Sequence, residues 1–199
     1  VISTVIFDMG GVLVWTHWER ATEPLAKLAG LPPERVLETL LNTDTNLSYM
    51  RGDIDSSEFA KVVLERLGLD IPEDELLGIW ESILAPNLEA LPVLERLKGR
   101  YRLVLGSNTD AGHFRRSVEL QPALGLFDDL LLSYELGVCK PDPAFFERGL
   151  ASLKIPAQEC VFIDDLAENV ESARGVGIEA IQFQSMAQVE VELGRLGLL

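Results

Sequence analysis

The chain has 199 residues, 47% of them hydrophobic, which suits one folded domain or a core domain carrying a smaller insert and excludes a disordered chain. Its 32 acidic residues against 17 basic ones leave a formal net charge of −15, a surface that repels nucleic-acid phosphates and argues against such partners. The same field repels small anions, so an anionic substrate needs a local positive site from a metal ion or a lysine. The two cysteines, Cys139 and Cys160, form neither a disulfide framework nor a metal spacing and read as reduced thiols near a core. No apolar run is long enough to span a membrane and no cationic-plus-apolar leader precedes the first strand, so a cytoplasmic setting is expected.

Residues 1–7 are a β-rich apolar run ending at Asp8 and the pair Gly10 and Gly11, which predicts a buried strand followed by a tight turn. From about Trp18 to Leu84 the pattern is helical, in pieces at 19–29, 33–41, 57–67 and 73–83. Pro33 suits the first turn of the second piece, and Ser56 is the expected N-cap of the third. No strand is expected in this stretch. The insert from about Val14 to Pro86 is expected to be wholly helical, to cover the Asp8 edge, and to hinge near Val14–Trp15 and near Pro86.

After Pro86 the pattern alternates. Helices are expected at 90–97, 111–119, 143–153, 167–176 and 186–196, and strands at 102–106, 130–133, 160–163 and 180–183. Such alternation implies a parallel sheet covered on both faces, with right-handed crossovers. The fold class is therefore α/β: a three-layer Rossmann-like core from 1–14 and 87–199, with a helical cap at 15–86 inserted after the first strand.

Three of these strands end in polar residues of a particular kind. VIFDMGGVL places Asp8 after the first, LVLGSNTD places Ser107 and Asn108 after the second, and CVFIDDLAEN places Asp164 and Asp165 after a third. In a parallel sheet these carboxyl ends share one edge, where ligands bind. Three carboxylates meeting there repel one another unless a hard divalent cation neutralises them, and Mg²⁺ is the usual one in phosphoryl-transfer sites. The Ser107–Asn108 pair offers hydroxyl and amide donors for phosphate oxygens, and Lys140, in GVCKPDP, adds a point charge from the loop after a fourth strand. Taken singly, each has a plainer reading: Asp8 as a turn residue, Ser-Asn as a helix cap, Asp165 as the cap of 167–176, Lys140 as a surface lysine. Their joint occurrence, each after its own apolar strand, reverses that balance.

In their order and spacing these four segments resemble the four motifs of the haloacid-dehalogenase-like hydrolases, along essentially the whole chain. The helical insert resembles that family's first type of cap. The FDMGGV turn and the segment RGDIDSSEF at 51–59 are similar to the sugar-phosphate phosphatases of the family and to the phosphatase domain of soluble epoxide hydrolase. The resemblance implies a Mg²⁺-dependent phosphatase of a small phosphorylated metabolite, sugar phosphates among the candidates. It implies Asp8 as nucleophile and metal ligand, the Gly10 carbonyl and Asp165 as further ligands, and Asp164 acting through water or orienting Lys140. It implies that Ser107 and Asn108 hold the phosphoryl oxygens and that Lys140 bridges nucleophile and phosphate.

One position departs from the family. Most of its phosphatases carry a second Asp two residues after the nucleophile, as general acid and base, and here that position is Gly10. Without it, substrates with good leaving groups are expected, since such an acid contributes roughly two to four orders of magnitude in rate. His17 is a candidate substitute, against its plainer reading as an exposed helix-start residue. Trp15, Trp18, Tyr49 and Arg51 either face the site from the cap or pack within the insert. Two rival readings remain: a 2-haloacid dehalogenase, against which the Gly-Gly turn and the Asp164–Asp165 pair argue, and a binding or regulatory domain that has lost catalysis, for which Gly10 is the only support.

Overall fold

The computed structural model describes residues 1–199, the side chain of Thr43 apart. β1 (Thr4–Phe7) leads through a tight turn to β2 (Val14–Thr16). Five helices follow, α1 (Glu19–Ala29), α2 (Pro33–Leu40), α3 (Thr43–Met50), α4 (Ser56–Leu67) and α5 (Glu73–Glu81), and then β3 (Leu84–Pro86). The remainder alternates: α6 (Ala90–Leu97), β4 (Arg102–Ser107), α7 (Ala111–Leu120), β5 (Asp129–Leu132), α8 (Ser133–Leu136), α9 (Pro143–Leu153), β6 (Cys160–Asp164), α10 (Ala167–Gly175), β7 (Glu179–Gln182) and α11 (Met186–Arg195).

The main sheet runs β5-β4-β1-β6-β7 with every pairing parallel. β1 is central, so Phe7 stands beside Leu105 and Ile163 and the carboxyl ends of β1, β4 and β6 coincide. Both faces of the inner strands are buried, which is why they read as continuous apolar runs. Side chains alternate between faces. Val5, Phe7, Leu103, Leu105, Val161 and Ile163 pack with α6, α11 and the inserted helices; Ile6, Val104 and Phe162 pack with Phe145, Phe146 and Leu150 of α9 and Val170 of α10. The order reverses at β1, which makes its carboxyl end the place where a crevice opens. Cys139 and Cys160 are buried and unpaired, and burial pushes the Cys160 thiol up to about 11. No helix among the described residues is long and apolar enough to cross a membrane.

The insert differs from expectation in three ways. It is not wholly helical: β2 and β3 pair antiparallel, with Val14 opposite Pro86 and Thr16 opposite Leu84, so the expected hinges form a two-stranded ribbon. Each strand is three residues long, too short to show a period in sequence. Residues Thr43–Met50 form a helix whose composition, TDTNLSYM, carries little amphipathic signal; its start is marked by Asn42, whose side chain accepts the Thr45 N–H. And Asp55, not Ser56, caps α4, in a capping box in which Asp55 accepts the Glu58 N–H at 2.8 Å and Glu58 accepts the Asp55 N–H. The buried insert residues Leu25, Phe59 and Trp80 share one cluster with Phe7 and Leu105 under the sheet.

Candidate active site

Asp8 extends the β1 ladder by one bond, its N–H donating to the Ile163 carbonyl at 2.9 Å, and its side chain then leaves the sheet at the carboxyl edge. The turn after it is one helical coil, with the Leu13 and Val14 N–H groups donating to the Met9 carbonyl. This coil aims the Met9 N–H back at Asp8 Oδ1, 2.7 Å away. Lys140 Nζ reaches the same oxygen at 2.9 Å. Among the described residues no donor reaches Oδ2 of Asp8, so that oxygen is left for a ligand.

Lys140 is held as tightly as Asp8. Its ammonium donates to Asp164 Oδ2 at 2.7 Å and to the Gly106 carbonyl at 2.8 Å. Asp164 is fully buried and accepts from the Leu166 N–H and from Asn169 Nδ2 as well. Burial pushes the Asp8 carboxyl up to about 7, with Lys140 pulling it down and Asp164 pushing it further up. Burial also raises Asp165, and Asp164 adds to the effect. Burial works against the Lys140 charge, but Asp8 and Asp164 outweigh it and hold the ammonium above its ordinary range. The lysine is therefore cationic throughout the neutral range, and the strain of the cluster falls on Asp8.

Asp8, Asp164 and Asp165 each offer an oxygen within 4.8 Å of the others. Three carboxylates against one ammonium leave two negative charges, the complement of one divalent cation. An all-oxygen donor set suits a hard cation, so the residues fit Mg²⁺. Gly11 makes the cradle possible: its φ is +74°, and a Cβ there would lie 2.4 Å from Asp165 Oδ2. At Gly10 a Cβ would meet nothing within 4 Å. Asp165 does not cap α10, as its plainer reading had it; Leu166 holds the N-cap position without a side-chain bond, and Asp164 receives the Leu166 N–H instead.

Ser107 closes β4 on this edge and is fully buried. The Asn108 side chain braces the lysine loop and keeps one Nδ2 hydrogen outside that pairing. Its Nδ2 donates to the Lys140 carbonyl and its Oδ1 accepts the Lys140 N–H, both at 2.8 Å. An amide pairs with a backbone unit in this way when a loop must be fixed, and here the loop fixed is the one carrying the lysine. Asn169, which sequence reasoning did not single out, steadies Asp164; it lies in the first turn of α10, and only its place in DDLAEN hinted at it.

His17 bonds Glu19 at 3.1 Å and is half-buried. Trp18 packs on Trp80 within the insert, and half-exposed Trp15 packs on Phe183 of the core. Arg51 pairs with Asp53. Tyr49, stacked on Phe59, reaches a cavity of about 420 Å³ between insert and core. That cavity is lined also by Gly52–Ser56, Glu58, Ala111 and Tyr134, beside the carboxyl ends of β4 and β5.

Comparison with known proteins bears on this arrangement. A family model described as haloacid dehalogenase-like hydrolase matches residues 2–177. A D-ribitol-5-phosphate phosphatase of Bacteroides thetaiotaomicron is 26% identical over 200 residues, 97% of this chain and 97% of its own. A sesquiterpene phosphatase of Aspergillus oryzae is 29% identical over 198 residues, 98% of this chain and 96% of its own. A HAD family enzyme of Bacteroides thetaiotaomicron, crystallised with magnesium and inorganic phosphate, matches with a TM-score of 0.83 at 26% identity, over 92% of this chain and 95% of that one.

Proposed function

The chain belongs to the haloacid dehalogenase-like hydrolases, and on that footing we propose that it is a Mg²⁺-dependent phosphatase. It hydrolyses a small phosphorylated metabolite through an aspartyl phosphate on Asp8. The observation that carries this reading is the Asp8 carboxylate itself: Oδ1 is pinned by Met9 and Lys140, while Oδ2 faces the crevice without a donor. Asp8, Asp165 and the Gly10 carbonyl, with Asp164 close by, would hold the cation, which would relieve the repulsion among the carboxylates and the phosphoryl oxygens. Asp8 Oδ2 attacks phosphorus as the bond from phosphorus to the ester oxygen breaks, and the alcohol leaves, its oxygen taking a proton from solvent; water then attacks the phosphorus of the aspartyl phosphate, which releases inorganic phosphate and restores the carboxylate. Lys140 stays charged and steadies the equatorial oxygens, the main task of a protein in a loose transition state. Ser107 contributes its hydroxyl to those oxygens. Asn108 acts by holding the Lys140 backbone in place.

The names of the relatives, one acting on a polyol phosphate and one on a terpenoid, support phosphate monoesters as the class without selecting a leaving group. Convergence of Asp164 and Asp165 on Asp8 favours phosphoryl transfer over attack on a haloalkanoate, which needs no cation. A panel of phosphorylated metabolites assayed for phosphate release with Mg²⁺ and with excess chelator tests the reading. Release that requires the cation is expected, and undiminished release in chelator would remove it.

A further inference from the structure

A second buried carboxylate, outside the reacting cluster, joins the insert to the loop that carries Ser107 and Asn108. Asp110 is 1% exposed. Its Oδ1 accepts the His113 backbone N–H at 2.9 Å and so caps α7. A capping Asp needs no more than that bond and solvent. This one has two side-chain partners as well. Its Oδ2 accepts the Trp80 indole N–H at 3.2 Å and faces His113 Nδ1 at 3.1 Å. The Tyr49 hydroxyl, bonded to Ser56 at 2.9 Å, lies within the field of the same carboxylate: burial first, and then the Asp110 charge, hold that phenol above its ordinary range.

His113 reinforces the joint. Its Nε2 lies 3.0 Å from the Trp80 carbonyl, which can only accept, so Nε2 carries a proton. Its ring stacks on the Trp80 ring with centroids 4.6 Å apart. Trp80 and Tyr49 belong to the insert; Asp110 and His113 belong to the core. A neighbouring tie runs through Ser133, which accepts the Thr109 N–H at 2.9 Å and donates to the Met50 carbonyl at 2.6 Å. Of the loop Ser107–Asp110, Thr109 and Asp110 are thus fastened to the insert and Asn108 to the Lys140 backbone. The β2–β3 ribbon is one anchorage of the insert, and Asp110 is another. The insert cannot swing away as a rigid body about the ribbon without breaking the bonds to Asp110.

We propose that Asp110 is a positioning residue that couples closure of the cap to engagement of phosphate by Ser107–Asp110, so that each tightens the other. This rests on the phosphatase reading above. Linkage makes the coupling reciprocal: if phosphate holds the loop, it holds the cap by the same factor.

Trp80→Phe keeps an aromatic ring and removes the indole donor together with part of the ring's packing, and Asp110→Asn keeps the Oδ1 cap of α7 while replacing the Oδ2 acceptor with an NH2 donor; neither touches the reacting groups. The full-length chain is followed by amide exchange with and without Mg²⁺ plus inorganic phosphate, together with the phosphate inhibition constant and the melting temperature. In the wild type, phosphate should slow exchange both in Ser107–Asp110 and in α5. In Trp80→Phe the slowing in α5 should vanish and the inhibition constant should rise about tenfold, the lower end for a hydrogen bond to a buried charged group. Asp110→Asn should move both readouts in the same direction, which guards against a Trp80 variant that folds poorly. A lowered melting temperature with phosphate inhibition and phosphate-dependent α5 exchange unchanged would mark the contact as packing alone and overturn the proposal. Absence of any protection at Ser107–Asp110 in the wild type sinks the phosphatase reading first, and this inference with it.

Discussion

Replacing Asp8 by Asn should stabilise the cation-free protein at pH 8 while abolishing turnover. Asp8 ionises near 7 in the fold, because burial and Asp164 outweigh Lys140, against an ordinary value of 3.8. A folded-state value above the unfolded one means that stability is fully present below about 4 and is lost as pH rises to about 7. By pH 8 the loss is on the order of 4 kcal/mol. Asn keeps the shape and cannot ionise. Lys140 retains Asp164 and the Gly106 carbonyl as partners, so its own charge is not orphaned. Allowing for the lost Lys140–Asp8 pair, a gain of roughly 2–4 kcal/mol is expected, which for a chain of this size is about 5–15 °C in melting temperature. Thermal melts of both proteins in chelator, at pH 5 and at pH 8, measure it. The other carboxylates titrate in both proteins, so the difference of differences isolates Asp8. A wild-type-to-variant difference that is the same at both pH values, or an Asn variant less stable at pH 8, would refute the reasoning.

Further expectations follow from the same geometry. Mg²⁺ should raise the wild-type melting temperature more at pH 8 than at pH 5, because it binds the ionised form of Asp8 and Asp165, both raised by burial; equal shifts at the two pH values would contradict this. Gly10→Asp has open space at its Cβ and a φ outside the left-handed region, so it should raise turnover of primary alkyl phosphates by roughly 10²–10⁴-fold and of aryl phosphates little; a uniform change would point to an acid already present. Gly11→Ala must move Asp165, whose Oδ2 lies 2.4 Å from the new Cβ, so turnover should fall about 10²-fold; an unchanged rate would show that Asp165 takes no part.

The carboxylate cluster at the sheet edge was legible in sequence where chemistry contradicts burial. Asp8 and Asp164 each follow an apolar strand with no packing reason to be acidic, and the sheet then forces them together. What was not legible depended on partners distant in the chain or on where a side chain points. The β2–β3 ribbon pairs triplets from the two ends of a long insert, and three residues carry no period. The helix Thr43–Met50 has no apolar stripe of helical period, so only the Asn42 cap betrayed it. Asn108 has the right chemistry for a phosphate, but its amide also pairs with the Lys140 backbone, a contact across 32 residues that sequence spacing does not announce. The Trp80–Asp110 bond spans 30 residues and joins helices that sequence places in separate units.

The central claim is that phosphate passes through Asp8. Acid quench of a single turnover with a ³²P-labelled aryl phosphate and Mg²⁺ tests it most directly. The account predicts label covalently bound to the wild type, released by hydroxylamine as an acyl phosphate should be, and absent from Asp8→Asn. Label that survives hydroxylamine, or that still forms on the Asn variant, would place the nucleophile elsewhere and contradict the account.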